Sequence, residues 1–433
     1  MVTPRIHERS FVRTFFTTPT AVEDEDDSAR MLRGAIGLRG MRAPDVWVPD
    51  NEDATAPSMR EEGIENIIEV VAEDGADFPG EIHPRVVWHR DSPSTRYQGF
   101  EQMRSIAASD RAIAHVDGFV IPEVGDIDDW KKADEFFTIV EHECGLEEGS
   151  LKMSVIVESA QAELAMGKLR EEMGKPTNNL ERLFMLVDGE VDYTKDMRAM
   201  TPTGELPAWP ELRHNTSRGA SAAGLIAVDG PYDDIRDVDG YHERMTENRA
   251  KGMSGIWALT PGQVVEANTG PLPPEAGSWR LAVGDESIEL DEVDGTYVYD
   301  GNRLSLEATD DGYILRVGDD EHALDETALR EELLDRAEYI PSMDDIVDSM
   351  EEFEAAKEAG RGAIAMERSA TFLIDGVEVD VESDRMWDEA TYQAAMTPIA
   401  LFQDVYEHRP DQHDELAEMY GRDVLDRAMG VGN

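Results

Sequence analysis

"SLKMSVIVESAQAELAMGKLREEMG", residues 150–174, decides the fold. Its first part is apolar almost without interruption from Met153 to Val157 and closes on an acid, Glu158. The remainder, from Ser159-Ala160 onward, reads as an amphipathic helix. A strand buried on both faces looks like this, because helices must cover both sides of a parallel sheet. The same unit recurs on either side. "PDVWVPD" (44–50) leads into "SMREEGIENIIEVVAED", and "IHPRVVWH" (82–89) into "RYQGFEQMRSIAAS". "HVDGFVIPEV" (115–124) is followed by Asp126, a natural helix N-cap, and a helix ending in glycine. "LERLFMLVDGE" (180–190), "AAGLIAVDG" (222–230) and "GMSGIWALTP" (252–261) continue the alternation. Eight or so units up to about residue 268 predict an α/β fold, a (β/α)8 TIM barrel. A doubly wound open sheet is the competing arrangement, and no glycine-rich phosphate loop follows any strand to favour it.

The pattern changes after the barrel. Residues 1–268 are read as the catalytic barrel domain, with a segment of about 1–40 packing on it. "NTGPLPPEAG" (268–277) reads as a linker, and short alternating runs to residue 325 complete a β-rich insert, 269–325. Residues 326–433 read as a helical C-terminal region, from "ETALREELLDRAEYI" to "DEATYQAAMTPIALFQDVY". No internal repeat stands out.

The chain of 433 residues carries 94 Asp plus Glu against 40 Lys plus Arg, a formal charge of -54. The acids are spread along its length, and a globular body this charged repels itself at low salt. At about 1 M salt the Debye length falls to about 3 Å and the penalty largely vanishes. A cytoplasmic protein of a salt-in halophile is expected. With no basic patch, nucleic acid and anionic membranes are not expected partners. The single cysteine, Cys144, excludes an intrachain disulfide and a cysteine zinc site. No apolar run of about 18 residues or secretory leader is seen, so a soluble protein is expected. Homo-oligomerisation is left open.

In so acidic a chain an Asp/Glu cluster is by default a solvated face. Carboxylates at the ends of buried strands escape that default, because the C-terminal ends of barrel strands form the active face. Asp50, Glu52 and Asp53 end one strand, Glu158 another, and Asp188, Glu190 and Asp192 a third. Glu158 and Asp192 are 34 residues apart, one βα unit, so their side chains can converge. Two carboxylates with open positions suit Mg2+, and the alternative is a pair of strand-end caps. Arg85 lies inside an apolar strand, where it needs an anion. Either it pairs with a core acid or it faces a developing oxyanion. His83 and His89 read as structural. Asp188 and Glu190 read as loop positions whose backbone matters more than their charge, and Asp196 as surface. No H-E-x-x-H, G-x-S-x-G or Cys/His arrangement is present.

Taken in order, these segments resemble the malate synthases. "VWVPDNEDATAPSM" resembles the family's D-F-E-D-x-x-A-P-T-W, and "HPRVVWH" its R-P-R-G-W-H. "LKMSVIVESAQAELAM" resembles its metal-glutamate strand, "DGEVDYTKD" its G-R-W-D-Y-x-x-S, and "DRMWDEATYQAA" its M-E-D-A-A-T-x-E-x-S. "GMSGIWALTPGQVVEAN" is similar to a closing-strand pattern shared with the citryl- and malyl-CoA lyases. The similarity spans most of 40–268 and 380–410 and suggests a compact, haloarchaeal-type branch.

The resemblance implies Mg2+-dependent condensation of acetyl-CoA, as co-substrate, with glyoxylate, followed by thioester hydrolysis to malate and CoA. It implies Asp388 as base, Arg85 as oxyanion partner and Glu158 with Asp192 as metal ligands. The backbone of Gly189, Glu190 and Val191 would bind the glyoxylate carboxylate, and Asp50 and Glu52 would hold the metal's waters. Two rivals remain: a malyl-CoA or citryl-CoA type lyase with the same metal site, and a non-enzymatic acidic cation-binding protein.

Overall fold

Eight parallel strands hydrogen-bond in the order β3-β2-β1-β8-β7-β6-β5-β4. They are β1 Thr14–Pro19, β2 Val46–Asp50, β3 Glu81–Ile82, β4 Gly118–Ile121, β5 Lys152–Val157, β6 Leu183–Asp188, β7 Ile226–Pro231 and β8 Gly255–Ala258. The computed structural model describes residues 11–24, 26–175, 180–199, 209–284, 286–310, 312–318 and 320–431. The ring is completed beyond β3. Pro84 has no N–H to continue a regular ladder, yet the chain stays extended, and Arg85 bridges Asp50 on one side and Val120 on the other. The Arg85 amide donates to Pro49 O (2.9 Å), and the Val120 amide to Pro84 O (3.0 Å). The expected barrel is thus the observed one.

The N-terminal segment does more than pack on the barrel. Residues 1–10 lie outside the described residues, but Thr14–Pro19 is the strand joining β2 to β8, with Phe15 opposite Val46 and Thr14 opposite Ile256. Its threonines make it read as polar, yet they are buried because each finds a donor. Thr17 Oγ1 accepts from Trp257 Nε1 (2.8 Å) and Thr18 Oγ1 from Trp47 Nε1 (2.9 Å). Inside the ring Phe15, Val48, Ile156, Phe184, Val187 and Trp257 fill the centre. Outside it Trp47, Trp88, Trp130, Phe119 and Phe137 join strands to helices. Each such side chain removed from water is worth about 1.5–3 kcal/mol, so this double layer holds the frame rigid. The expected cap is present too: Asp126 accepts from the amides of Asp128 and Asp129, and Gly145 (φ 72°) ends that helix.

The structure divides into two units. The first holds the residues up to Pro271 together with Asp404–His413, and the second holds Leu272–Gln403 and the residues from Asp414 on. In the first unit Asp45, just before β2, is fully buried and receives two arginines. Its Oδ1 accepts from Arg13 Nη2 (2.7 Å) and Arg409 Nη1 (2.7 Å), and its Oδ2 from Arg13 Nε (2.9 Å). This anchor fixes Asp404–His413 at the end of the barrel opposite the strand C-termini.

The second unit carries β9 Ser278–Val283, β10 Glu286–Glu289, β11 Asp291–Val293, β12 Thr296–Tyr299, β13 Leu304–Thr309, β14 Gly312–Val317, β15 Asp320–Leu324, β16 Ala337–Ile340, β17 Ala363–Ile374 and β18 Val377–Asp388. Three of these strands lie where the sequence read as helical. The 12-residue strands β17 and β18 pair through a two-residue turn, Asp375–Gly376, with φ of 50° and 81°. That is the Asp-Gly hairpin turn, whose positive φ values match the twist of the strands. Strands and helices share one core here, with Trp279 edge-on to Phe372 at 5.5 Å. Among the described residues no helix is long and apolar enough to cross a membrane.

Replacing Asp45 by Ala removes the carboxylate that two buried guanidiniums share and is expected to lower unfolding stability by about 3–5 kcal/mol. Denaturant titration in concentrated KCl checks it.

Candidate active site

The C-terminal ends of the strands enclose a cavity of about 320 Å³ within the first unit. Thr17 of β1 and Trp257 of β8 form one wall, and Pro231 and Leu259 extend it. Asp50, Asp53 and Arg85 lie on a second side, and Glu158 with Gly189–Asp192 on a third. The cavity thus collects most of the carboxylates singled out by their position at strand ends.

Arg85 is 3% exposed and meets Asp50 in a bidentate pair, Nε to Oδ1 at 2.7 Å and Nη2 to Oδ2 at 2.5 Å. Glu52 and Asp53 stand 3.3 and 3.6 Å from the same Nη2, and the guanidinium carbon lies 5.6 Å from the Trp257 ring centre. The core-acid partner and the cavity-facing cation are therefore one arrangement. Asp50 is committed to this pair and to the turn after it, accepting from the amides of Glu52 (2.9 Å) and Ala54 (3.3 Å). It orients Arg85, so a role toward metal waters falls to Glu52 if to either. Burial, with Asp53 and Asp50 adding to it against the pull of Arg85, pushes the Glu52 carboxyl up to about 8.

Glu158 is 4% exposed. Its Oε1 accepts from the Glu123 amide, and burial drives the carboxyl well above its usual range, opposed by Arg85 and reinforced by Asp192. Asp192 does not end a strand. It sits in the first turn of the helix Glu190–Asp196, one-quarter exposed, with Lys195 Nζ 2.8 Å from its Oδ1. Both acids face the same cavity from adjoining segments. Among the described residues no group of three or more His, Cys, Asp or Glu is arranged to hold a metal ion. A pair is enough for Mg2+, which keeps several waters and takes one or two carboxylates. Glu158, buried and held above its usual range with Asp192 beside it, is the kind of carboxyl such a cation relieves, so the residues fit it.

Gly189 makes this contact possible. A Cβ there would fall 2.6 Å from Glu158 Cβ and 2.7 Å from its Oε2. The Gly189 amide donates to Val157 O (3.1 Å), so of the three amides expected to face a substrate carboxylate, those of Glu190 and Val191 remain. Val191 is exposed toward the cavity.

Three acids were misjudged from sequence. Asp188 is a fully buried strand residue, bonded by Thr216 Oγ1 and pushed well above the carboxylate range by burial. Glu190 is buried with Arg213 and Arg244. Asp196, only part-buried, pairs with Arg90 and accepts from the Ala160 amide (2.9 Å) at the start of the helix Ala160–Met166, so it is not a free surface charge. Glu123 was not seen at all. It has φ 43°, an uncommon conformation for a side-chain-bearing residue, and it contacts His89 (3.0 Å) as well as Glu158. No local pattern announces such a residue. His83 is structural, buried between Glu81 (2.9 Å) and Ser154 (3.3 Å).

Asp388 belongs to the second unit, where it ends β18 and caps the helix Glu389–His408. Its Oδ1 accepts from the Thr391 amide (3.0 Å), which lowers its pKa below the ordinary value. Of the two apolar residues just before it, Trp387 is half-buried and Met386 is exposed.

Residues 89–261 match the HpcH/HpaI aldolase/citrate lyase family, and residues 279–393 the malate synthase H C-terminal domain. Malate synthase of Haloferax volcanii is 76% identical over 432 residues, 100% of both chains. Two solved structures of that enzyme, a pyruvate/acetyl-CoA ternary complex and a magnesium/glyoxylate complex, align with TM-scores of 0.62 and 0.61 at 70% and 64% identity. Each alignment covers 98% of this chain and 100% of the other. An L-malyl-CoA/beta-methylmalyl-CoA lyase of Haloarcula marismortui is 36% identical over 308 residues, 69% of this chain and 86% of its own.

Gly189→Ala forces Glu158 aside. It is expected to destabilise the fold by about 1–3 kcal/mol and to weaken Mg2+ binding, which calorimetric titration of the variant against the parent reads directly.

Proposed function

The chain belongs to the malate synthase family, and from that premise we propose how its residues condense acetyl-CoA with glyoxylate and hydrolyse the product thioester to malate and CoA. The observation that carries the synthase over the lyase is the second unit. The lyase relative covers 69% of this chain, whereas the synthase relative covers all of it, including the segment with Asp388.

The methyl protons of acetyl-CoA are very weakly acidic, so a carboxylate alone removes one only if the enolate oxygen is stabilised as it forms. Asp388 is the proposed base. Its cap geometry keeps it ionised at neutral pH, and it also makes it a weak base. That weakness places more of the work on the oxyanion partner. Arg85 is suited to it: of five guanidinium donors Asp50 takes two, and the bidentate grip fixes the plane of the rest. The enolate carbon then attacks the glyoxylate aldehyde carbon, forming the new C–C bond as the C=O π pair moves to oxygen, which takes up a proton to become the hydroxyl. Water adds to the thioester carbonyl, and CoA leaves as the thiol. The amides of Glu190 and Val191 would take a carboxylate oxygen of glyoxylate, with Trp257 and Leu259 forming an apolar wall of the same cavity. Glu158 and Asp192 would hold Mg2+, which when bound would supply the charge that polarises the aldehyde, and Glu52 would accept from its waters.

The charge of -54 suits a cytoplasm held at molar salt, where the family reaction is proposed to run. Transfer to about 0.1 M salt is expected to unfold the protein through self-repulsion, with loss of near-UV circular dichroism.

Free thiol should be released from acetyl-CoA when glyoxylate and Mg2+ are added in multi-molar KCl. Folded protein that cleaves malyl-CoA without releasing thiol from acetyl-CoA would make it a lyase instead. Asp388→Asn should cut turnover by about 10²–10⁴-fold and abolish exchange of the methyl protons, with Mg2+ affinity unchanged. Retained exchange removes Asp388 from the role of base.

A further inference from the structure

The helix Glu190–Asp196 has seven residues, too few to be stable by itself in water. Side chains hold it. Tyr193 donates to Glu163 Oε2 (2.7 Å) on one side, and Asp196 pairs with Arg90 on another. The third hold is fully ionic and buried. Glu190, the first residue of the helix, is 2% exposed. Its Oε1 accepts from Arg213 Nε (2.7 Å) and its Oε2 from Arg244 Nη2 (2.7 Å).

The two arginines are themselves shared. Arg213 Nε also reaches Asp229 Oδ1 at 3.0 Å, and Arg244 Nε reaches Asp229 Oδ2 at 2.5 Å. Asp229 stands on β7, Arg213 on the helix Trp209–Ala223 and Arg244 on the helix Val238–Ala250. Two carboxylates and two guanidiniums thus tie a strand and two long helices to the start of one short helix.

We propose that Glu190 is a positioning residue for the reaction, acting through its side chain in addition to its backbone amide. Two residues further along a helix is a rotation of about 200°, so a Glu190 side chain pinned inward sets the direction in which Asp192 faces the cavity. A hydrophobic contact of the same size could serve stability as well or better. What the paired forks add is a fixed angle, because guanidinium–carboxylate bonds are planar and directional. The inference rests on reading the cavity as the glyoxylate and cation site.

The test is calorimetric Mg2+ titration of the full chain in multi-molar KCl, with steady-state kinetics beside it. Glu190→Gln should bind Mg2+ about 10–100-fold more weakly, as loss of a residue orienting a metal ligand does. It should raise the KM for glyoxylate and leave that for acetyl-CoA in place. Glu190→Asp, with the charge kept and the reach shortened, should fall between, and it carries the comparison if Glu190→Gln does not fold. Asp192→Asn separates the two levels of the argument. If it loses Mg2+ affinity while the Glu190 variants bind and turn over as the parent does, the positioning role is overturned and the clamp is only structural. If Asp192→Asn itself binds Mg2+ as the parent does, the reading of the site has failed.

Discussion

Arg85 does two jobs with two parts of one residue. Its backbone bridges β2 and the segment at Val120, completing the ring of strands, while its side chain is held by both oxygens of Asp50. A guanidinium buried this deeply would be costly unpaired, and removing either partner from such a pair is strongly destabilising. Closure of the barrel and the placing of a guanidinium at the cavity wall are therefore the same constraint. The turn Asp50–Ala54 follows from it, since Asp50 also receives the amides that form that turn.

The same solution recurs at several other buried acids. Asp45 meets Arg13 and Arg409, Asp134 and Glu141 meet Arg182, and Glu190 and Asp229 meet Arg213 and Arg244. Arginine suits these places because its planar fork satisfies a carboxylate along two bonds and does not lose its charge on burial. Lysine is found instead in partly or fully exposed pairs, such as Lys195 with Asp192 and Lys357 with Glu389. With 40 basic residues in all, those placed inside are not available to balance the exterior.

Much of the barrel was legible because a doubly covered strand has to be apolar throughout, and Glu158 stood out as the acid that ends one. β1 was not legible, since its threonines look polar until Trp47 and Trp257 are known to bond them. The β17–β18 ribbon did carry a signal, the Asp375–Gly376 pair between alternating residues, but it lay in a stretch dominated by helical patterning. The site was half legible. Position at a strand end found Glu158 and Arg85's neighbours, yet it placed Asp192 on a strand when it lies on a helix. For Glu190 the general acidity of the chain misled. Its partners lie 23 and 54 residues away on other helices, and nothing within its own stretch distinguishes a clamped acid from a solvated one.

The arginine at the floor of the cup also bears on how substrates arrive. Glyoxylate and CoA are both anions, and the body they must approach is strongly negative. In dilute buffer its field turns such ligands away. At molar salt the reach of that field shrinks to a few ångströms, so an anion meets little resistance until it is inside the cavity, where Arg85 stands. Encounter should then quicken as ionic strength rises, the reverse of what holds for enzymes that draw their substrates in by long-range attraction.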